Sequence, residues 1–186
     1  LSSDSDHIID TGNKLGFDLV IKRPNYLARD KSGKVDAIKH ALLESEKYFN
    51  KTFKNIFDLD VTSPLRSIVD IKNSLKIFKK KKANNLITVC EARKNPYFNM
   101  IQKIKDKIKV VASKREYKSR QTAPKVYEMN ASIYIWSRDA LLKKSMFNPK
   151  TIFYKMPISR SIDIDSEFDF KIVKFIYENK KLFRKL

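Results

Sequence analysis

Glycine is scarce in this chain, with only Gly12, Gly16 and Gly33 among 186 residues. That scarcity excludes a glycine-rich loop of the kind that cradles phosphates with its backbone amides. A single cysteine, Cys90, excludes an internal disulfide. Cys90 closes the apolar run Leu86-Ile87-Thr88-Val89-Cys90, so a buried structural thiol is expected rather than a nucleophile. One unpaired thiol fits a reducing, cytoplasmic compartment. Histidine is equally sparse: His7 falls in an expected first helical turn and His40 in mid-helix, and neither has catalytic company. No apolar run approaches the length of a membrane span, and Leu-Ser-Ser-Asp-Ser-Asp at the start does not read as a signal peptide.

What the chain does contain is a core. Hydrophobic residues make up 42%, with 12 Phe and 8 Tyr, which excludes a disordered class. The length suits a single domain spanning 1–186. The formal charge of +19 points towards polyanions. Yet the excess is 31 lysines against 9 arginines, scattered along helices and loops. Its densest run, Lys79 to Lys82, reads as the end of a helix, where cations favour the dipole. This resembles the lysine drift of an AT-rich genome. Attraction of anionic substrates is therefore expected, and nucleic acid is not expected as a partner.

Helical and extended patterns alternate along the chain. A helix over Asp4–Leu15 is expected, capped by Ser3 and stopped by Gly16, then a strand over Asp18–Ile21. Val35, Ile38, Leu42 and Phe49 share one helical face. A strand over Ile56–Val61 precedes a helix carrying Ile68, Ile71, Leu75 and Phe78, and Leu86–Cys90 is a third strand. From Arg93 to Met129 the pattern loosens into short strands and loops. A strand over Ala131–Trp136, a helix over Asp139–Ser145, an extended Thr151–Met156 and a helix over Ser166–Asn179 follow. Such alternation predicts an α/β domain on a largely parallel sheet.

In open α/β sheets ligands bind in the loops beyond the carboxyl ends of the strands. One such loop holds Ser161-Ile162-Asp163-Ile164-Asp165. If extended, it points both carboxylates one way and both isoleucines into the core. Paired carboxylates suit a hard ion such as Mg²⁺; equally, Asp165 could cap the helix that starts near Ser166. A second loop reads Asp60-Val61-Thr62-Ser63-Pro64-Leu65-Arg66. Its proline fixes a turn, its hydroxyls can cap the next helix, and Arg66 offers a planar fork to a carboxylate or phosphate. The others are Arg23-Pro24 and Arg93 to Phe98.

Taken in order, these segments resemble the cytidylyltransferases that activate sialic acid and related nine-carbon keto-sugar acids as CMP conjugates. The pieces are Ser2-Ser3-Asp4, Arg23-Pro24 with Leu27-Ala28 and Asp30, His40-Ala41, and Thr62 to Arg66. They continue with Arg120-Gln121 and Pro124, Asn130 with Ile133-Tyr134, and Ser161 to Asp165 with Asp169. The resemblance implies a Rossmann-like nucleotidyltransferase domain. The sugar's anomeric hydroxyl would attack the α-phosphate of CTP and pyrophosphate would leave. Asp163 and Asp165 would hold Mg²⁺ or another divalent cation, and Arg120 would stabilise charge at the reacting centre. Arg23 would lie against the cytidine, and Lys34 stands where a nucleotide contact is usual. Asp60, Thr62, Ser63, Arg66, Gln121, Asn130 and Tyr134 would line the sugar site. Met146 and Phe147 match positions that reach in from a partner subunit, so a homodimer is implied, with residues 93–147 as its contact.

Three departures sharpen the comparison. Asp60 replaces a glutamine typical of the sialic-acid enzymes, leaving an acceptor without a donor. With Arg93 to Asn99 and Asn130-Ala131-Ser132, this looks closer to the legionaminic-acid branch, an arm of cell-surface glycan biosynthesis. Ala131 stands where glycine is common, and Gly33-Lys34 where a small hydroxyl residue is common. The family also begins with a strand, a glycine- and arginine-rich phosphate loop, a helix and another strand. A unit of at least roughly 30 residues is therefore expected upstream of Leu1. The alternatives are a basic nucleic-acid-binding domain and a catalytically inactive remnant of the cytidylyltransferase.

Overall fold

The computed structural model describes residues 1–29, 31–112, 117–143, 146–179 and 181–182. Asp30 and the expected helix end at Ser145 lie outside the described residues. The chain folds into two compact units, one of Leu1–Leu59, Lys72–Ile87 and Ile133–Ile152, the other of Asp60–Ile71, Thr88–Ser132 and Phe153–Leu186. Hydrogen-bonded strand order in the larger sheet is β3-β7-β4-β8, with β3 at Asn55–Leu59, β4 at Asn85–Glu91, β7 at Tyr127–Ser137 and β8 at Thr151–Lys155.

The first unit opens with β1 (Ser2–Ser3), α1 (Asp6–Lys14) and β2 (Ile21–Lys22). β1 and β2 pair in parallel, Ser2 opposite Ile21. The expected strand over Asp18–Ile21 is thus shifted and shortened, because only the residues facing β1 find ladder partners. Ser5, not Ser3, caps α1, accepting from the Ile8 amide, and Gly16 ends it at φ +75°. The next helix, α2 (Lys34–Phe49), closes on Asn50 in the left-handed conformation, φ 48°. There the Lys51 amide reaches back to the Glu46 carbonyl at 3.2 Å. Glu46 in turn takes a bidentate bond from Arg138, 2.8 Å on each arm, which begins α4 (Arg138–Leu142). Leu86, Ile133, Ile135, Trp136 and Leu141 are fully buried, with Phe78 and Leu42 nearly so.

β3 pairs antiparallel with β7, Asn55 opposite Ser137 and Leu59 opposite Ile133. The sheet is therefore mixed, not largely parallel as expected. The cause is insertion: β7, arriving after the long excursion, stands between β3 and β4 in the sheet order. An apolar run shows that a strand is buried but not which way it runs.

The second unit has a more polar interior. Ser63, Asp70 and Ser132 are fully buried there, and Thr88, Asn95 and Asn130 nearly so, beside Cys90, Met156 and Val173. Its excursion carries an antiparallel hairpin, β5 (Ile101–Ile104) and β6 (Lys107–Val110), turning at Lys105 with φ 53°. α5 (Glu167–Glu178) is capped by Ser166, whose hydroxyl accepts from the Asp169 amide. α3 (Ile68–Lys80) begins in this unit. The face expected to be buried is displaced at this end of the helix: Ile68 is 71% exposed while Asp70 is fully buried. The period of α3 was legible, but a charged residue at a core position was not.

Candidate functional site

The loop after β3 is built by its own side chains. Asp60 Oδ1 accepts from the Thr62 amide at 3.2 Å and from its hydroxyl at 3.1 Å, an Asx turn that fixes the chain's exit from the strand. Arg66 then folds back. Its Nη1 donates to the carbonyls of Asp60 and Ser63, each at 2.7 Å, and to that of Ser132 at 3.1 Å. The sequence suggests a fork for a carboxylate or phosphate; the structure gives that guanidinium three backbone carbonyls.

Ser63 connects this loop to the paired acids. Its fully buried hydroxyl lies 2.9 Å from the Asn130 carbonyl and 3.3 Å from Asp163 Oδ1. The Ile164 amide donates to the Thr62 carbonyl at 2.9 Å. Residues 161–165 are therefore seated on the 62–63 loop. They form no strand, and Ile162 and Ile164 are half-buried rather than core. A 3-10 turn at Ile158–Arg160 precedes them, and the Ser166 cap follows at once, leaving no length for a ladder. Since Ser166 caps α5, Asp165 is exposed without that duty. Among the described residues no side chain binds Asp163 Oδ2 or the Asp165 carboxylate. These are oxygen donors at a partly exposed position, a set that fits a hard divalent ion completing its shell with water and phosphate. No cluster of three or more potential ligands occurs among the described residues, and Mg²⁺ bound against phosphates needs only one or two.

Asn130 is buried and its amide is fully employed. Nδ2 donates to Ser161 Oγ at 2.8 Å, and Oδ1 accepts from the Ser132 amide at 3.3 Å. Ala131 between them has φ 52°, which costs an L-residue roughly 1–2 kcal/mol. This is the physical reason that glycine suits the position. Arg120 is exposed, its Nη2 donating to the Arg93 carbonyl at 3.1 Å. Gln121, beside it in the same turn, is also exposed.

In the first unit, Arg23 Nη2 donates to the Ser2 carbonyl at 2.8 Å. Lys34 begins α2, where its ammonium lies 3.0 Å from Asp58 Oδ2 and 4.3 Å from the centroid of the Tyr134 ring. Asp58 and Tyr134 face each other across β3 and β7. Lys34 is thus held within its own unit by a carboxylate and a ring face. The Met146 carbonyl accepts from Asn85 Nδ2 at 2.9 Å, while Phe147 is 60% exposed.

A cluster absent from the sequence expectations lies at the start of α3. Asp70 holds Arg160 through two bonds, 2.8 Å to Nε and 2.9 Å to Nη2, and its Oδ2 also accepts from the Ser67 amide and hydroxyl. Ser67-x-x-Asp70 is a capping-box spacing, the one sequence signal that marked it. Burial raises the Asp70 pKa, but the Arg160 and Ser67 bonds outweigh it and hold the carboxyl below its usual value.

Cys90 is 1% exposed and its thiol faces Glu128 Oε1 at 3.3 Å. Burial, then the Glu128 carboxylate, pushes its pKa up to about 11, so it stays protonated and unreactive at neutral pH. Iodoacetamide at pH 8 is expected to label Cys90 rapidly in denaturant and only very slowly in the native protein. Equal rates in both states would contradict a buried thiol.

No family model matches the chain. It is 44% identical over 184 residues to the "Post-translational flagellin modification protein B" of Campylobacter coli, covering 98% of this chain and 77% of that protein. It is 43% identical over 183 residues to the "CMP-N,N'-diacetyllegionaminic acid synthase" of Campylobacter jejuni, with the same coverage. An "N-acylneuraminate cytidylyltransferase" of Streptococcus agalactiae is 29% identical over 174 residues, 91% of this chain and 40% of that protein. Among the described residues no helix is long and apolar enough to cross a membrane. Together with the ordered motifs from Arg23 to Asp169, these likenesses show that the chain belongs to the family of the CMP-legionaminic acid synthases and N-acylneuraminate cytidylyltransferases, nucleotidyltransferase enzymes.

Proposed function

We propose that this protein transfers CMP from CTP to the anomeric hydroxyl of a nine-carbon keto-sugar acid of the legionaminic type, with release of pyrophosphate. The observation that carries this reading is the seating of Asp163 against Ser63, with Oδ2 unengaged by any described side chain. Asp163 and Asp165 would hold a divalent cation, Mg²⁺ by the chemistry of its ligands. When bound, that cation supplies charge neutralisation at the phosphates. The chain's own groups do the rest. Arg120, exposed at its turn, offers a second cation to the phosphoryl oxygens. Arg23 and Lys34 serve the nucleotide. Asp60, anchored by Thr62, supplies an acceptor-only carboxylate that favours amide donors on the sugar. Thr62, Ser63, Arg66, Gln121, Asn130 and Tyr134 shape the sugar site, several of them by holding the loops rather than by touching the ligand. The domain is read as a Rossmann-like nucleotidyltransferase acting in the cytoplasm as a homodimer. Residues 93–147 form the contact, and Met146 and Phe147 close the partner's pocket.

The test is a pyrophosphate-release assay on the full-length gene product with CTP, MgCl₂ and, in turn, legionaminic, sialic and pseudaminic acids. Legionaminic acid is expected to react fastest. Equal rates for all three would remove the specificity role of Asp60, and no release with any would overturn the reading.

A further inference from the structure

Asp70 is a fully buried carboxylate on the first turn of α3, directly after the Asp60–Arg66 loop. Nothing in the proposed chemistry uses it. Isolated burial of a charge is costly unless it is paired and hydrogen-bonded. Here every available oxygen lone-pair direction is in demand: Arg160 grips both oxygens, Ser67 donates twice to Oδ2, and the Tyr154 hydroxyl stands 3.4 Å from Oδ1. The planar guanidinium fork makes such a pair directional as well as attractive.

The place of Arg160 gives that direction a use. It ends the 3-10 turn Ile158–Arg160, and the next residue, Ser161, begins the acidic segment. Ser161 Oγ donates to the Pro157 carbonyl at 2.7 Å and accepts from Asn130 Nδ2. Further along, Ile164 and Asp163 are tied to Thr62 and Ser63. The segment carrying the acids is thus fixed upstream by the Asp70–Arg160 fork and in its middle by the 62–63 loop. Asp70 stands at the far end of the polypeptide stretch that supplies that same loop.

We propose that Asp70 and Arg160 are positioning residues: their buried bidentate pair holds residues 161–165 in register with the Thr62–Ser63 loop, and so aims the Asp163 carboxylate at the cation site. The inference rests on the proposed cytidylyltransferase reading for its kinetic consequence, but not for its structural one. Residues that orient ligands from behind typically alter metal affinity or activity by about 10- to 100-fold when changed.

The test compares the wild-type full-length protein with Arg160→Lys, which keeps the charge and loses the fork, and with Asp70→Asn. Hydrogen–deuterium exchange is expected to quicken about tenfold or more in peptides covering 161–166, with β4 peptides unchanged. In the pyrophosphate assay, the Mg²⁺ concentration for half-maximal rate is expected to rise about tenfold in either variant, with the KM for the sugar acid unmoved. Unchanged exchange at 161–166, or exchange quickened equally in β4, would overturn the proposal in favour of a purely structural ion pair. So would exchange confined to 161–166 with an unmoved Mg²⁺ requirement. If Arg160→Lys does not fold, Asp70→Asn decides. If the wild type releases no pyrophosphate, the functional reading fails while the exchange experiment still judges the positioning.

Discussion

Trp136→Ala is expected to destabilise the protein by about 3–5 kcal/mol. Trp136 is fully buried, sits opposite Ile56 on β3 and lies in sequence between the equally buried Ile135 and Leu141. Native domains are stable by only about 5–15 kcal/mol in total, so such a loss removes a large share of the margin. The indole Nε1 is buried without a hydrogen-bond partner among the described residues, and an unmet donor costs about 1–3 kcal/mol. Its removal offsets part of the cavity cost, which places the expected value near the lower end of the range. Trp136→Phe separates the two effects: it keeps most of the ring, discards the unmet N–H and should cost much less. Urea unfolding followed by far-ultraviolet circular dichroism is the measurement, because Trp136 is also the only tryptophan fluorophore. A loss below about 1 kcal/mol for the alanine variant would contradict this packing.

Asp163→Asn is expected to reduce CMP transfer by at least about a hundredfold while leaving the fold intact. The amide keeps the shape and can still accept from Ser63 Oγ through its oxygen. What it loses is the charge that a divalent cation needs. Asp163 is half-buried rather than core, so its thermal midpoint should stay close to that of the wild type. Full Mg²⁺-dependent activity in this variant would remove Asp163 from the metal site, whatever the outcome for Asp165.

The helices and apolar strands were legible because their signals are local. Leu86 to Cys90 reads as a strand from composition, and α5 announces itself through Ser166 and the apolar residues of its inner face. Strand direction was not legible: the insertion of β7 between β3 and β4 depends on where the chain returns after a long excursion. The acid pair is plain in the sequence but its conformation is not, since alternation of acids and isoleucines fits a strand and an irregular segment alike. Arg66 and Lys34 show a second limit. The partners of a cation inside its own fold are not legible: Arg66 faces three carbonyls, and Lys34, at the start of α2, faces Asp58 and Tyr134. Asp70 was hidden for the opposite reason, as a charge at a helical position that pattern assigns to the surface.

The Ser63 hydroxyl has one proton and two acceptors in reach, and the Asn130 carbonyl is the nearer of them. That proton therefore belongs chiefly to the backbone carbonyl, and its bond there does not depend on Asp163. Asp163 Oδ1 receives from Ser63 only the longer contact, beside the Ile164 amide at 3.1 Å, so the hydroxyl stays satisfied whichever way that carboxylate faces. Ser63 thus ties its loop to Asn130 first and to Asp163 second, and the satisfaction of that buried hydroxyl does not depend on the acid.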